Sequence, residues 1–517
     1  AGEYYFLGSS GGGHGGLGGS GYGQVGHFDL FADHSSYGDF QMARLWGAPG
    51  GADAVGSAPS GGGSLHVYAV DIQLDGSLAS DGSSPLHSLA GGGGGGSVHV
   101  VATRLAGVGR ISAAGGVGGR DKENIVARGG GGGGGRVSLH VDDRSAYTGV
   151  ISTAGGAGHQ KGSAGTVYFT NKNASIGGTL SVENSLDSES LLTELNTVIS
   201  TVSPYGVLDT ITVTQGARVL YKIPGGEVTV RNLTGDGTGA LMFSNGTILT
   251  PYGTWPSGST TSTNDLVIRG IQLVIADATL NASRITVQAD AELRLTPAGR
   301  SLGLSEANYA IDTLVIDSNG VMMFDYHTMV LSSTTTLTTT QIVVRNNVSV
   351  ALGGIIHSNA QGHHGSYLNT ESCYDPLVVN IFGHGEGCGQ FGTVGGGGGA
   401  LGGSGGRGVS GEGGVSYGNV SIPTQLGSGG GGCFPNIAGG NGGGAVHLTA
   451  KNTIIDGVLS ADGGSGAGSG SGGGSGGSIY LVTETLTGSG SIQANGGAGL
   501  YSSAYIGGAG SGGRVSI

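Results

Sequence analysis

The sequence predicts an all-β protein, a parallel β-helix (β-solenoid) with glycine-rich loops or polyglycine-type sides and little or no helix. A block of the chain occurs twice, because residues 61–82 (GGGSLHVYAVDIQLDGSLASDG) return 381 positions later as residues 442–463 (GGGAVHLTAKNTIIDGVLSADG). Within each block a smaller unit repeats, in which a glycine run is followed by two short segments of alternating β-branched residues. Repeats of this size are typical of solenoids, whose units stack on their neighbours.

The composition excludes several other classes. Glycine supplies 117 of the 517 residues, but the chain has only 11 prolines and no Gly-X-Y period, which excludes collagen. Disordered chains are highly charged and poor in β-branched residues, whereas this chain is 11% charged and 37% hydrophobic. The net charge of −13 leaves no basic surface for nucleic acid. No apolar run approaches the about 20 residues of a membrane span.

Residues 1–63 are rich in glycine and aromatic residues, and we expect them to form a cap or a subunit contact. Residues 64–170 contain the solenoid repeats, with strands beginning at Leu65, Val98, Val137 and Val167, which are separated by 33, 39 and 30 residues. Alternation such as Val98-His99-Val100 is the period-two pattern of a half-buried strand. The crossover that parallel strands require is then supplied by one solenoid turn without a helix.

Residues 171–355 contain less glycine, and their short runs of Thr, Val, Ile and Leu predict a more regular β-helix. Only residues 187–200 (DSESLLTELNTVIS) have helical character, which fits one short helix on a loop. The glycine-rich composition returns in residues 356–517, which duplicate about residues 1–139. The last residues (GRVSI) repeat the strand that begins at Arg136, so we expect either further repeats or the start of a next subunit to continue them.

One column of side chains is predicted to face outward. Aligning the strand starts places His66, His99, Ser138 and Tyr168 in one column, with His447, Tyr480 and Ser516 in the duplicate. Neighbouring strands lie about 4.8 Å apart, so this pattern favours a polar or aromatic ladder over a metal site, which would need further ligands. The loop histidines His357, His363 and His364 are the best metal candidates, but a solvated loop explains them better. We therefore assign no metal and no cofactor.

Six N-x-S/T sequons favour a secreted glycoprotein, although several would arise by chance in a Ser/Thr-rich chain. They stand at Asn173, Asn232, Asn245, Asn281, Asn347 and Asn419. The three cysteines, Cys373, Cys388 and Cys433, match no zinc spacing and can form at most one disulfide.

No constellation of residues predicts catalysis. The β-helix enzymes that act on polysaccharides carry clustered charged residues on one strand face, whereas the densest charged group here, residues 120–123 (RDKE), is typical of a solvated turn. We assign no catalytic residue and expect no enzymatic activity. The glycine runs, by contrast, have a structural use, because backbones without Cβ can lie side by side as extended threefold helices. Flexible loops remain the alternative for these runs.

The alternation of GG-x-V-x-V and G-x-I-x-A-x-GG resembles the glycine-rich parallel β-helix proteins of cell surfaces. These include fibre-forming proteins such as the shafts of algal flagellar hairs (mastigonemes) and large bacterial adhesins. The resemblance is one of repeat style, and it transfers no functional residues. It implies a secreted structural subunit of an extracellular filament or cell-surface appendage, assembled head to tail with copies of itself and bearing covalent glycans. The alternatives are an adhesin that binds carbohydrate through the aromatic residues of 1–63, and a polysaccharide-acting enzyme.

Overall fold

The protein is described by a computed structural model, which covers most of the chain. The described residues are 9–21, 36–52, 58–85, 89–120, 128–171, 177–184, 196–200, 207–244, 246–251, 265–276, 278–280, 282–296, 308–326, 341–366, 385–434 and 437–517. Over these ranges the chain forms β-strands and no helix, and most of the strand pairs are parallel. The predicted all-β class is confirmed.

The chain divides into two compact units, and we describe each by itself. The first consists of Ala1–Ser262 with Ile268–Leu273, and the second of Thr263–Val267 with Val274–Ile517. The strands of the first unit are β1 (Ser64–Tyr68), β2 (Asp71–Gln73), β3 (Ser77–Ala79), β4 (Ser97–Ala106), β5 (Arg110–Ser112), β6 (Arg136–Asp143), β7 (Val150–Ser152), β8 (Thr166–Thr170), β9 (Thr179–Glu183), β10 (Thr197–Ile199), β11 (Val207–Thr214), β12 (Arg218–Lys222), β13 (Glu227–Gly235), β14 (Ala240–Ser244) and β15 (Ile248–Pro251).

Two further strands, β16 (Asp265–Arg269) and β17 (Gln272–Ile275), contain the points of division. The strands of the second unit are β18 (Thr279–Leu280), β19 (Arg284–Val287), β20 (Glu292–Leu295), β21 (Asn308–Ile316), β22 (Val321–Phe324), β23 (Gln341–Val350), β24 (Ile355–His357), β25 (Ala445–Ile455), β26 (Val458–Ser460), β27 (Ser478–Thr487), β28 (Ser491–Gln493), β29 (Tyr501–Ser502), β30 (Tyr505–Ile506) and β31 (Arg514–Ser516).

In the first unit, β1, β4, β6 and β8 pair in parallel order, and Leu65, Val98, Val137 and Val167 lie opposite one another. β3, β5 and β7 form a second parallel sheet with Ile111 in its centre. The valine and leucine side chains of these strands share one core, in which Val98 and Ile111 are fully buried. Burial of a side chain of this size contributes about 1.5–3 kcal/mol, so the apolar face of each strand stabilises its neighbour.

The remainder of the first unit is more regular. β8 and β9 pair antiparallel, after which β9, β11, β13 and β15 pair in parallel. β10, β12 and β14 form another parallel sheet, with Tyr221 stacked on Phe243 at 5.0 Å between ring centroids. The expectation of a short helix at residues 187–200 is wrong for its last residues, because Thr197–Ile199 is the buried strand β10. Residues 185–195 lie outside the described ranges.

The second unit contains two parallel series of strands. One joins β19, β21, β23, β25, β27 and β31 in that order, and the other joins β20, β22, β24, β26 and β28. β29 and β30 form a separate antiparallel pair. The duplicated sequence is therefore reproduced in structure, because β25–β27–β31 repeats the pairing of β1–β4–β6.

Candidate functional site: glycine networks and covering segments

The glycine runs of the first unit bond to one another in three directions. We define the first glycine network as residues 9–19, 91–96, 113–119, 129–135 and 155–165. Within it, the amides of residues 129–135 donate in turn to three different segments at 2.7–3.0 Å: Gly129, Gly132 and Gly135 to Gly119, Gly116 and Ala113; Gly130 and Gly133 to Ser9 and Gly12; Gly131 and Gly134 to Gln160 and Ser163. A change of neighbour at every residue, returning after three, is the period of a polyproline II helix.

The carbonyls of the same run accept from three further stretches of chain, so the run has six neighbours. Gly92 and Gly95 donate to Gly130 and Gly133, Gly16 and Gly19 to Gly134 and Gly131, and Gly156 and His159 to Gly132 and Gly129. Because buried backbone groups must be paired, this arrangement satisfies the run without a β-ladder. The flexible-loop alternative does not describe these residues, which are buried and hydrogen-bonded.

Only glycine fits at the centre of this network. A Cβ on Gly132 would lie 2.6 Å from the carbonyl carbon of Gly93 and 3.1 Å from the amide nitrogen of Gly116, with the Gly93 carbonyl oxygen closer still. Real Cβ atoms essentially never lie within 3.0 Å of a heavy atom outside their own residue and its two chain neighbours. The neighbours are backbone atoms fixed by their own hydrogen bonds, so they cannot move aside as a side chain would.

The second unit repeats the network. We define the second glycine network as residues 395–402, 427–432, 461–464, 472–477 and 508–513. The amides of residues 472–477 again serve three neighbours in turn at 2.7–3.0 Å: Gly472 and Ser475 donate to Gly431 and Ser428, Gly473 and Gly476 to Gly508 and Ser511, and Gly474 and Gly477 to Gly464 and Ala461. Residues 91–96 are their equivalents at the offset of 381, and their amides donate to the corresponding neighbours: Gly91 and Gly94 to Gly51 and Ala48, Gly92 and Gly95 to Gly130 and Gly133, and Gly93 and Gly96 to Ser83 and Ser80. The duplication therefore preserves this pattern of amide donation.

A segment of the aromatic-rich start lies across β4, β6 and β8. We call residues 36–48 the first covering segment. Within it, the Tyr37 hydroxyl donates to the Trp46 carbonyl at 2.6 Å, and Arg136 Nε of β6 donates to the Tyr37 carbonyl at 3.0 Å. Ser97 Oγ donates to the Leu45 carbonyl at 2.6 Å. Gly38 has φ +83°, a left-handed conformation that glycine adopts without strain. The described part of residues 1–63 thus packs on its own unit.

The second unit has an equivalent, the second covering segment, residues 416–428. Here the Tyr417 hydroxyl donates to the Leu426 carbonyl, and Arg514 Nε donates to the Tyr417 carbonyl at 3.1 Å. Ser478 Oγ donates to the Gln425 carbonyl at 2.6 Å, and Gly418 has φ +87°. The shared Ser-Tyr-Gly sequence of residues 36–38 and 416–418 was the signal in the sequence that could have identified this motif.

The structure places the predicted column in register but covers part of it. His66 lies opposite His99, and Ser138 opposite both His99 and Tyr168; in the duplicate, Tyr480 lies between His447 and Ser516. His99, Ser138 and Tyr168 lie on the strand face away from the core, but the expectation that this face meets solvent is wrong for them, because they are only 3%, 0% and 2% exposed. The first covering segment buries them, with Phe40 5.7 Å from the Tyr168 ring. His66 is exposed, and His447 and Tyr480 are half-buried.

Several basic side chains in and near the covered column are shielded from water, which lowers their pKa values. Burial, and then the positive charges of His140, Arg44 and His66, lower the pKa of His99 to about 4. Burial and the neighbouring Arg136 likewise lower the pKa of His14 to about 4. Burial lowers the pKa of Arg136 itself to about 10, partly opposed by Asp39. His14 and His99 are therefore neutral at pH 7. The ring of His99 contacts that of His140 edge to face, with 5.1 Å between the ring centroids.

Three of the six sequons lie on described residues. Asn232 is half-exposed in β13, Asn347 is exposed in β23, and Asn419 is exposed in the second covering segment. The Oδ1 atom of Asn347 accepts from Asn452 Nδ2 at 3.0 Å, and that of Asn419 accepts from the Ser421 amide at 2.8 Å, so these bonds do not use the Nδ2 atom that carries an N-glycan. Asn173, Asn245 and Asn281 lie outside the described residues.

The described cysteines and loop histidines are not grouped as metal ligands. Cys388 is disulfide-bonded, Cys433 is a buried free cysteine, and Cys373 lies outside the described residues. His357 is half-buried in β24, and burial lowers its pKa, while His363 and His364 follow it in a half-buried stretch. In the part of the chain that the structure describes, no three His, Cys, Asp or Glu side chains are grouped so that they could hold a metal ion.

Comparison with known proteins returns nothing similar. No protein-family model matches the sequence, and neither the curated proteins nor the solved structures include a match. Within the described ranges, no helix has the length and apolar character needed to cross a membrane.

Proposed function

We propose that this chain is a non-enzymatic structural subunit of a secreted extracellular filament or cell-surface appendage. In this proposal the parallel sheets belong to a β-solenoid, copies of the chain associate head to tail, and covalent glycans decorate the surface. The observation that carries it is the pair of glycine networks, whose backbone groups bond to one another and are repeated in both halves of the chain.

The energetics of the networks support a structural role. Ordering the backbone of one residue costs about 1–2 kcal/mol, and glycine costs more than other residues. A hydrogen bond returns only about 0.5–1.5 kcal/mol net, so an isolated glycine run would not stay ordered. A run gains enough only when several neighbours surround it, as six surround residues 129–135. Such an architecture becomes more stable as more segments pack together, which suits a protein that functions as material.

The parallel strand series support polymerisation in the same way. Each strand of the series presents the same alternation to the next, for example Val98 between Leu65 and Val137. A parallel edge of this kind is a template for another strand, and repetition of a heterologous contact builds an open filament.

Electron microscopy and fibre diffraction of the purified protein test the proposal. We expect filaments at concentrations where globular proteins stay dispersed, with an axial reflection at about 4.8 Å that arises from the spacing between neighbouring strands. Discrete particles of one chain at every concentration and salt condition would contradict the proposal.

An adhesin is the second candidate, and one observation favours it. Trp46 is 73% exposed on the first covering segment, next to Leu45 at 48%. An exposed indole is a suitable surface for stacking on a sugar ring, which has an apolar face. Glycan-array binding that is lost in Trp46→Ala but kept in Val108→Ala, an exposed apolar position elsewhere, would favour this candidate; equal binding by both variants would count against it.

A further inference from the structure

The first covering segment presents an exposed arginine and an exposed indole beside β1. Arg44 is exposed, and Trp46 is 73% exposed. Their Cα atoms are at most about 7 Å apart, because two residues of fully extended chain span no more. The segment runs alongside the residues that lead into β1, since the Gly47 amide donates to the Gly62 carbonyl at 2.9 Å. Ser64 Oγ donates to the Arg44 carbonyl, also at 2.9 Å.

Two side chains of β1 continue this surface. His66 is exposed, and Tyr68 is 61% exposed. Ser64 Oγ lies 2.9 Å from Nε2 of His66, so one hydroxyl contacts both the covering segment and this ring. The rings of His66 and Tyr68 each contact the covered ring of His99, at 5.9 and 5.8 Å between centroids. We define the basic-aromatic strip as Arg44, Trp46, His66 and Tyr68.

The strip carries positive charge on an acidic protein. In the part of the chain that the structure describes, Arg44 forms no ion pair. Burial, and then the charges of His140, Arg44 and His66, lower the pKa of His99, so both exposed basic side chains lie near that ring. The whole chain has a net charge of −13, which makes a local basic surface beside an exposed indole a distinctive feature.

The second covering segment shows that the fold does not require these side chains. The carbonyls of residues 425 and 426 accept the same two hydroxyl bonds as those of residues 45 and 46. Thr424 and Leu426 are therefore the equivalents of Arg44 and Trp46. Thr424 is half-buried and Leu426 is 5% exposed. Because a neutral, covered pair is held by the same bonds, the exposed arginine and indole of the first segment are not needed for folding, which points to a role in binding.

We infer that the basic-aromatic strip binds an acidic saccharide, a sugar that bears a carboxylate or a sulfate group. The apolar face of the sugar ring stacks on the Trp46 indole. Arg44 donates charge-assisted hydrogen bonds to the anionic group, which its planar guanidinium can contact through two oxygens at once. His66 and Tyr68 supply hydrogen-bonding groups for the sugar hydroxyls. The inference goes beyond the filament proposal and does not depend on polymerisation, and it names the charge class of ligand that the adhesin candidate leaves open.

Isothermal titration calorimetry of the full chain with three tetrasaccharides tests the charge class. The first is tetragalacturonate, the second is its methyl ester, in which every carboxylate is neutralised, and the third is a tetrasaccharide that carries sulfate groups. We expect at least one acidic sugar to bind about tenfold more tightly than the methyl ester, because hydrogen bonds to charged groups are the stronger ones. The preferred acidic sugar identifies the anionic group.

Two variants with matched controls test the residues. Arg44→Gln should weaken binding of the acidic sugar about tenfold and leave binding of the methyl ester unchanged. Trp46→Ala should weaken both by about threefold to tenfold, since stacking does not depend on the charge of the sugar. Arg407→Gln removes another exposed arginine, whose side chain is 70% exposed, and Val108→Ala changes another exposed apolar residue. Both controls should bind as the wild type does.

The failures are distinguishable. Wild-type protein that binds the methyl ester as tightly as both acidic sugars would overturn the inference and leave the neutral-sugar adhesin candidate standing. A loss in Arg407→Gln as large as that in Arg44→Gln would show general charge attraction and would also overturn it. Binding of none of the three sugars would overturn the inference and the adhesin candidate together. Circular dichroism verifies folding of each variant, and the filament proposal keeps its own readout in electron microscopy.

Discussion

The glycine networks make a sharp prediction for two Gly→Ala substitutions. Gly132 lies at the centre of the first glycine network, where a Cβ would overlap the Gly93 carbonyl and press on the Gly116 amide. Gly63 precedes β1, and a Cβ built there has no heavy atom within 4 Å. Both residues have backbone conformations outside the left-handed region, so the same methyl group is tested in a closed site and in an open one.

The expected effects have opposite signs. At Gly63, alanine reduces the entropy of the unfolded chain and should stabilise the protein by about 0.4–1 kcal/mol. At Gly132, overpacking costs about 1–3 kcal/mol. The added methyl group also pushes residue 132 away from its neighbours, which weakens two hydrogen bonds: the one from the Gly132 amide to the Gly116 carbonyl and the one from the Gly156 amide to the Gly132 carbonyl. Each is worth about 0.5–1.5 kcal/mol. The sum for Gly132→Ala is a loss of about 2–6 kcal/mol, a large part of the about 5–15 kcal/mol typical of a folded protein.

Urea unfolding followed by far-ultraviolet circular dichroism measures both variants against the wild type. We expect the unfolding midpoint of Gly132→Ala to fall and that of Gly63→Ala to stay or rise, with similar slopes. Equal free energies of unfolding for the two variants would refute the six-neighbour packing of residues 129–135.

Four further predictions follow from the buried histidines and the two covering segments. Because the pKa values of His14 and His99 are lowered to about 4 in the folded protein, the unfolded state binds protons first as the pH falls. The free energy of unfolding should therefore be highest above about pH 6.5 and decline towards pH 4. Urea titrations of a variant with both histidines changed to Gln should show a weaker dependence of this free energy on pH. His99→Ser should cost about 1–3 kcal/mol more than His447→Ser, since only His99 is fully covered, and equal melting temperatures would contradict this. The Gln41 side chain is buried with neither amide atom hydrogen-bonded within the described residues, so Gln41→Met should raise the unfolding free energy by about 1 kcal/mol; a lower midpoint would show that the amide is satisfied. Glycopeptide mass spectrometry of secreted material should find sugar on Asn419, which is exposed, and a bare Asn419 peptide would remove this assignment.

The strand register could be read from the sequence because its causes are local and repeated. Val98-His99-Val100 alternates with period two, and the same pattern returns at Leu65 and Val137, so both the face of each side chain and its opposite residue follow from alignment. The 381-residue duplication likewise predicted that β25 and β27 repeat β1 and β4. The all-β fold class and the parallel pairing of the strands could therefore be predicted from the sequence.

The burial of the column by the first covering segment could not be predicted from the sequence, because it depends on contacts between residues that are far apart in the chain. Alternation predicts that His99 points away from Val98 and Val100, and it does, but Gln41 and Ala43 lie over that face. The Tyr37 carbonyl that fixes this segment is 99 residues from its partner Arg136. No periodicity within a strand records such a neighbour.

The sequence by itself determined where strands form and which residues share a face, since β-branched alternation dictates both. Only the tertiary structure decided which glycine bonds to which. A glycine run has no side chain to distinguish one neighbour from another, so Gly130 and Gly131 are identical in sequence yet donate to Ser9 and Gln160. The packing of the whole unit determines these hydrogen-bond partners. Each extended glycine run points its backbone groups in three directions, and it bonds to the segments that the surrounding strands place within hydrogen-bonding distance.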